Sequence, residues 1–264
     1  MRRPLLALFL LVFGFAGATQ AAMVAKPVQW TDKGVTFKSF LVYDDAVTAR
    51  RPGLVMVPNW FGVNDMAVAK AKEIAGKDYV ILLTDMYGET IRPTNENAAM
   101  AAVKPLYGDR QLMRDRVSRA LAELKAQEKT APIDPARLAA IGFCFGGSSV
   151  LDLARAGADV AAVVSFHGLL ADDSRLPVTI HARVLALNGA DDQNVPPAQR
   201  EAFEKEMDGA KADWASVDFG GAVHCFTEKE ATTPTGNCRY DSKVAKRAYA
   251  SMRAWLNEAF AAKG

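Results

Sequence analysis

Long apolar segments, clusters of like charge and metal-binding motifs are missing from most of this sequence. Beyond residue 22, no segment reaches the roughly 20 consecutive apolar residues that span a bilayer. The 32 basic and 30 acidic residues give a formal charge of +2, and the absence of a basic cluster argues against binding nucleic acid. No Cys-x-x-Cys motif is present, which argues against a thiol–disulfide oxidoreductase. No group of His, Cys and Asp has ligand spacing, so no metal or cofactor is implied.

The first 22 residues differ in character from the rest of the chain. They begin with Arg2 and Arg3, continue with an apolar run from Leu5 to Phe15, and end in small residues up to Ala22. This is the arrangement of a secretory signal peptide. An uncleaved membrane anchor is the alternative, but the run is shorter than the roughly 20 residues that an anchor needs. We therefore expect an exported protein, periplasmic or secreted, that has no contact with the membrane after cleavage.

Residues 23–264 contain no linker, repeat or low-complexity tract and are expected to form a single domain. Short apolar segments bounded by Gly, Pro, Asp or Asn predict buried parallel strands. These segments are residues 53–58, 79–85, 137–143, 160–166 and 183–189. Residues 35–43 alternate in polarity, which predicts a half-exposed antiparallel edge strand, and residues 214–220 are expected to form the last strand.

Amphipathic segments separate these strands and predict helices. They are residues 65–76, 110–128, 146–157, 197–208 and 241–261. Alternation of strands and helices predicts right-handed crossovers and a doubly wound, mostly parallel α/β sheet with helices on both faces. In such sheets the ligand site lies beyond the carboxyl ends of the strands.

A cysteine stands between glycines where a predicted strand meets a predicted helix. Gly142, Cys144, Gly146 and Gly147 have the spacing of the nucleophile elbow G-x-S-x-G, with sulfur in place of the hydroxyl. The dipole and free N–H groups of a helix start favour a thiolate. A buried structural cysteine is the alternative, and neither common phosphate-binding glycine motif fits.

Partners for this cysteine follow later strands in the chain order nucleophile, acid, base of an α/β hydrolase. Asp191 and Asp192 follow the strand that ends near residue 189, and His224 follows the last predicted strand. The other two histidines are not expected to act as the base: His167 is predicted to form part of the pocket wall, and His181 to be a surface or structural residue. The oxyanion hole is expected to use the backbone N–H groups of two residues, Trp60 and Phe145.

The sequence resembles the dienelactone hydrolase family through "NWFGVND", "TDMYGE", "IGFCFGG", "VSFHG", "NGADDQNVP" and "VHCFT". The resemblance implies an α/β-hydrolase fold and a Cys144–His224–Asp192 triad that cleaves esters or lactones through an acyl-enzyme. It selects Asp192 over Asp191. The founding members carry a glutamate where this chain has Asn59, and an arginine where it has Glu228. We expect Glu228 to repel an anionic lactone, and Arg92 to contact the substrate.

The sequence thus predicts an exported hydrolase of small esters or lactones. Trp60, Phe61, Tyr87 and Phe145 are expected to make the substrate pocket apolar, with Asn59, Arg92 and His167 also in it. A binding protein that keeps the fold without turnover is the alternative, and Asn59 is the feature that favours it. Cys225 and Cys238 are near neighbours expected to form a disulfide with Cys144 free, although spacing alone does not fix the pairing.

Overall fold

The computed structural model describes residues 23–172, 174 and 176–262, so the predicted signal peptide lies outside the described residues. Within them, one mixed sheet contains β1 (Met23–Asp32), β2 (Val35–Asp44), β3 (Arg51–Val57), β4 (Val80–Leu83), β5 (Ile133–Phe143), β6 (Ala162–Phe166), β7 (Arg183–Gly189) and β8 (Trp214–Phe219). The strand order is β1-β2-β4-β3-β5-β6-β7-β8. The pairs β1–β2 and β2–β4 are antiparallel and the others are parallel. The predicted α/β class is confirmed.

Helices cover both faces of the sheet. They are α1 (Asp65–Ala75), α2 (Glu96–Gly108), α3 (Arg110–Ala126), α4 (Phe145–Arg155), α5 (Pro197–Gly209) and α6 (Ser242–Ala261). Helices α2 to α5 pack on one face, and α1 and α6 pack on the other. Successive strand residues point to opposite faces, so strands covered on both sides are apolar throughout, as the sequence indicates. No helix among the described residues is long and apolar enough to cross a membrane.

Two elements were not predicted from the sequence, and one strand has a different position from the prediction. Strand β1 forms a hairpin with β2, so residues 35–43 lie between β1 and β4 and do not form the edge. The prediction failed because β1 carries Pro27 and exposed polar residues, which are typical of an edge strand and weaken the apolar pattern.

Helix α2 was missed because its amphipathic signal is weak. It is rich in alanine, it contains Pro105, and its exposed face carries the apolar Met100. Its start is well defined, since the Asn95 side chain accepts a hydrogen bond from the Ala98 N–H at 3.0 Å. Helix α2 supplies part of the wall of the cleft described below.

Candidate active site

Cys144 lies in the turn between β5 and α4 with a left-handed backbone, φ +54° and ψ −117°. The turn is tight because backbone segments pass close to its glycines. A Cβ atom on Gly142 would lie 2.0 Å from the Gly146 carbonyl oxygen, and one on Gly146 would lie 2.1 Å from the Val57 carbonyl oxygen. Glycine is therefore required at both positions, and the turn raises the sulfur at the start of α4.

Replacing Gly146 with alanine is expected to lower the free energy of unfolding by at least about 3 kcal/mol, because its methyl group would meet backbone that cannot move aside. The matched control is Gly209→Ala near the end of α5, where an added Cβ has nothing within 4 Å. Alanine in a helix stabilises by roughly 0.5–1 kcal/mol relative to glycine, so this control should unfold at the same or higher urea concentration. Equal unfolding midpoints for the Gly146 variant and the unmodified protein would contradict the tight turn.

The structure brings together three of the predicted site residues. The His224 Nε2 lies 3.2 Å from the Cys144 Sγ, and the His224 Nδ1 lies 2.8 Å from the Asp192 Oδ2. Asp192 follows β7 and His224 follows β8, so both reach the carboxyl-end edge of the sheet, where Cys144 follows β5. The order sulfur, imidazole, carboxylate is that of a nucleophile, its base and the group that orients the base.

Asp192 is the carboxylate that faces His224, and its second oxygen is also occupied. Its Oδ1 accepts hydrogen bonds from the Asn194 N–H at 2.9 Å and from the Asn237 side-chain amide at 3.2 Å. The neighbouring Asp191 is exposed. Asn237 was not recognised from the sequence, because it is far along the chain from Asp192 and belongs to no motif.

Charge in the site favours a thiolate–imidazolium pair. Burial opposes ionisation of the Cys144 thiol, but His167 and His224, through hydrogen bonding and charge, outweigh it and lower the pKa of Cys144 to about 6. Burial opposes the charge on His224 as well, but hydrogen bonds and charge from Asp192 and Cys144 raise the pKa of His224 to about 10. The same contact with His224 outweighs burial at Asp192 and lowers the pKa of its carboxyl group.

The sulfur opens onto a cleft of about 600 Å³. The lining residues are mostly apolar or aromatic and are Trp60, Glu96, Met100, Val103, Tyr107, Cys144, Phe145, His167, Leu169, Asn194, His224, Cys225, Asn237 and Cys238. The contribution of α2 was not foreseen. Met100, Val103 and Tyr107 follow the i, i+3, i+7 spacing of one helix face, and this spacing after Asn95 was the available signal.

Trp60 and Phe145, the two predicted oxyanion-hole residues, both line the cleft. Phe145 is the first residue of α4, where backbone N–H groups have no acceptor within the helix. Two predicted pocket residues, Tyr87 and Phe61, contact Trp60 and are not among the lining residues. The Tyr87 hydroxyl donates to the Trp60 carbonyl at 3.0 Å, and the Phe61 ring packs edge-on against Trp60 at 5.5 Å.

Asn59 and Glu228 contact each other, and neither lines the cleft. The Asn59 side-chain amide donates to the Glu228 Oε2 at 2.7 Å, and the Lys70 Nζ lies 2.5 Å from the Oε1. Glu228 is only 4% exposed, so the expectation that it repels an anionic substrate is wrong: Lys70 compensates its charge away from the cleft. The sequence concealed this because Lys70 lies on α1, in a different part of the chain.

The prediction that Arg92 contacts the substrate is also wrong. The Arg92 guanidinium donates to the Gly88 carbonyl at 2.7 Å and to the Asp85 Oδ2 at 3.0 Å, so it stabilises a loop and does not line the cleft.

The other two histidines occupy different environments. His167 is fully buried and lines the cleft beside Cys144, whereas His181 is exposed.

A disulfide lies at the rim of the cleft. Cys225 and Cys238 are joined with their Cα atoms 4.9 Å apart, and Cys144 is a free thiol. Cys225 directly follows His224, and Cys238 directly follows Asn237. The Arg239 N–H also donates to the His224 carbonyl at 3.1 Å. The disulfide-closed segment and the residue that follows it thus contact both the carboxylate residue and the imidazole residue of the site.

A sheet of this order, with a cysteine elbow after β5 and an acid and a histidine after β7 and β8, defines the protein as an α/β hydrolase. MGS-M1, an α/β hydrolase from a deep-sea metagenome library of the Medee basin, shares this fold, with a TM-score of 0.63 over 89% of this chain and 98% of its own, at 17% identity. Residues 37–260 match the model of the dienelactone hydrolase family, and the chain belongs to that family.

Two further relatives agree with this membership. The dienelactone hydrolase-like promiscuous phosphotriesterase P91, from metagenomic libraries, is 34% identical, with a TM-score of 0.82 over 90% of this chain and 99% of its own. A Bradyrhizobium protein named a probable 2-oxo-3-(5-oxofuran-2-ylidene)propanoate lactonase is 30% identical over 215 residues, 76% of this chain and 84% of its own. The chain is a dienelactone hydrolase-like hydrolase that acts on esters or lactones.

Proposed function

We propose that this hydrolase is exported, uses Cys144 as its nucleophile, and prefers small neutral carboxylic esters and lactones. The observation that carries the proposal is the continuous contact from Asp192 through His224 to Cys144 at an apolar cleft. This contact supplies a nucleophile, a proton carrier and a group that orients the carrier.

In the first half-reaction the Cys144 thiolate attacks the ester carbonyl carbon and a carbon–sulfur bond forms. The carbonyl oxygen becomes an oxyanion, which the N–H groups of Trp60 and Phe145 stabilise; losing one such donor costs roughly 2.7–4 kcal/mol. The carbon–oxygen bond to the leaving group then breaks, and the leaving alkoxide takes the proton of the His224 imidazolium. In a lactone the leaving alcohol stays attached to the acyl chain.

In the second half-reaction His224, now neutral, removes a proton from a water molecule as that water attacks the thioester carbon. The carbon–sulfur bond breaks, the carboxylic acid leaves, and the Cys144 thiolate and His224 imidazolium are restored. Asp192 keeps the imidazole in the tautomer with hydrogen on Nδ1 whenever the ring is neutral, so that Nε2 accepts the proton from water.

The charge of the cleft supports a neutral substrate. None of the described residues that line it is Lys or Arg, whereas Glu96 contributes a carboxylate. Arg92 and Lys70 are engaged with Asp85 and Glu228. The His224 imidazolium already contacts Asp192 and Cys144, so a substrate carboxylate would lose its hydration without gaining an unpaired cation.

A matched pair of substrates tests this proposal. p-Nitrophenyl butyrate and mono-p-nitrophenyl succinate share a leaving group and have acyl chains of similar length, but only the succinate carries a carboxylate. We expect kcat/KM for the butyrate to exceed that for the succinate by about tenfold or more, equivalent to about 1.4 kcal/mol. A preference for the succinate would refute the neutral substrate class, and no turnover of either ester would favour the non-catalytic binding protein.

The similarity to P91 favours adding a neutral aryl phosphotriester to the same substrate panel. Such a substrate is also uncharged and fits a cleft whose described lining residues include no Lys or Arg. Attack of the Cys144 sulfur on phosphorus would expel the aryl alcohol in the same way, with the proton supplied by His224.

Export is supported by the leader-like first 22 residues and by the Cys225–Cys238 disulfide, a bond that persists mainly in oxidising compartments. Cell fractionation of the full-length chain tests it: mature protein beginning near residue 23 should appear outside the cytoplasm, and full-length protein retained in the cytoplasm would refute export.

A further inference from the structure

A second imidazole lies beside the Cys144 sulfur. His167 follows β6 with a left-handed backbone, φ +39°, and is fully buried. Its ring centre lies 4.9 Å from that of His224, in an edge-on arrangement. Both rings line the cleft together with Cys144, yet the mechanism above uses only His224.

Hydrogen bonding fixes which nitrogen of His167 carries a hydrogen. The His167 Nε2 lies 2.8 Å from the Thr227 Oγ1, and that hydroxyl donates its single hydrogen to the Glu228 Oε1 at 3.1 Å. The hydroxyl oxygen must therefore accept from the His167 Nε2–H. The Nδ1 atom is buried and has no hydrogen-bond partner among the described residues, so its lone pair is free to take up a proton.

Glu228 is held as a carboxylate at the far end of this chain. Lys70 and Thr227 contact its Oε1, and the Asn59 amide donates to its Oε2. Burial opposes its ionisation, but the charge of Lys70 and the contact with His167 outweigh burial and keep the pKa of Glu228 well below its usual range. The Glu228 Oε1 lies 3.5 Å from the His167 Nε2, close enough to stabilise a positive ring.

Counting charges shows that the cluster needs one more proton. Its ionisable members are Cys144, Asp192, Glu228, Lys70, His224 and His167. Three anionic groups face two cations, Lys70 and His224, which leaves one buried negative charge unless a proton resides on the sulfur or on His167. The phenols of Tyr87, Tyr107 and Tyr249 stay neutral because burial raises their pKa. Two further carboxylates, Glu96 on the cleft wall and the neighbouring Glu230, are exposed and are not part of the buried count.

We propose that His167 holds the proton of the Cys144 thiol at Nδ1 while the sulfur is a thiolate. The S–H bond breaks and an N–H bond forms at Nδ1, the electron pair stays on sulfur, and Thr227 and Glu228 hold the ring through Nε2. His224 then keeps its own proton for the leaving group. The inference rests on the proposed function and adds a second proton-holding imidazole to it.

Two substitutions distinguish the loss of the proton held by His167 from the loss of its side-chain contacts. His167→Gln places its amide near the Nε2 position, where it can still contact Thr227, and leaves nothing at Nδ1. His167→Asn places its amide near Nδ1, where it can accept a hydrogen bond without carrying a proton. His181→Asn, at the exposed histidine outside the site, is the matched control.

The readout is the pH dependence of Cys144 alkylation by iodoacetamide, together with thiolate absorbance near 240 nm. Because the pKa of Cys144 is lowered to about 6, labelling of the unmodified protein should rise through a midpoint there and lose rate as pH falls below it. In both His167 variants we expect the midpoint to rise by about one unit or more, which slows labelling about tenfold at low pH and leaves it unchanged at pH 8.5. The His181 control should keep the original midpoint.

Unfolding curves of the variants show whether they are folded. Folded His167→Gln and His167→Asn proteins with an unchanged midpoint, or with labelling reduced equally at every pH, would overturn the inference. Alkylation measures the Cys144 thiolate without requiring turnover, so the proposal for His167 and the proposed hydrolase function can be refuted independently. A protein that hydrolyses no ester but shows the His167-dependent shift would refute the proposed function and uphold the second imidazole.

Discussion

Replacing Cys144 with alanine is expected to lower kcat/KM for p-nitrophenyl butyrate by at least about 10³-fold, because removing the nucleophile of a triad leaves only binding and oxyanion stabilisation. Iodoacetamide labelling should vanish in the same variant, since the other two cysteines are joined in a disulfide. The measurement is steady-state hydrolysis followed by release of p-nitrophenol.

The matched control for this change is Ser149→Ala on the same helix. The Ser149 hydroxyl is buried, donates to the Phe145 carbonyl at 2.9 Å and does not line the cleft. Its loss should cost about 1 kcal/mol of stability and leave hydrolysis within a few-fold of the unmodified protein. Hydrolysis retained by the Cys144 variant would exclude sulfur as the nucleophile.

Replacing Asp192 with asparagine is expected to lower kcat/KM by about 10³–10⁴-fold, because the amide would impose the wrong tautomer on His224. Two donors, the Asn194 N–H and the Asn237 amide, face the Oδ1 position. The amide oxygen must therefore turn toward them and its NH₂ group toward the His224 Nδ1. The ring then carries its hydrogen on Nε2 and presents no lone pair to the thiol or to water.

Asp191→Asn makes the same chemical change one residue earlier and serves as the control. Asp191 is exposed, so this variant should keep nearly full activity. Comparable losses from the two substitutions would show that the effect arises from net charge near the site, and orientation of His224 would not explain it.

Strand ends explain why much of this site could be predicted. Cys144, Asp192 and His224 each follow a predicted strand, and the carboxyl ends of parallel strands meet at one edge of the sheet. The elbow could be recognised because close backbone contacts at Gly142 and Gly146 demand glycine and so leave a mark in the sequence.

The direction in which a loop side chain points cannot be predicted from the local sequence. Arg92 and Glu228 were placed at the substrate by position, but each is paired with a residue from another part of the fold. Helix α2 was missed because alanine and Pro105 weaken its pattern, and with it a wall of the cleft. Asn237 and Lys70 act through contacts that span 45 and 158 residues of chain, which no local pattern encodes.

The Cys225–Cys238 disulfide has a consequence for how activity is acquired. It closes a 13-residue separation between the neighbours of His224 and Asn237, so one covalent loop joins the imidazole to the amide that steadies its carboxylate. Opening a loop of this size frees chain entropy equivalent to roughly 3 kcal/mol. Oxidation of the two cysteines would thus act as a maturation step, because the disulfide then holds His224 and Asp192 in alignment with each other.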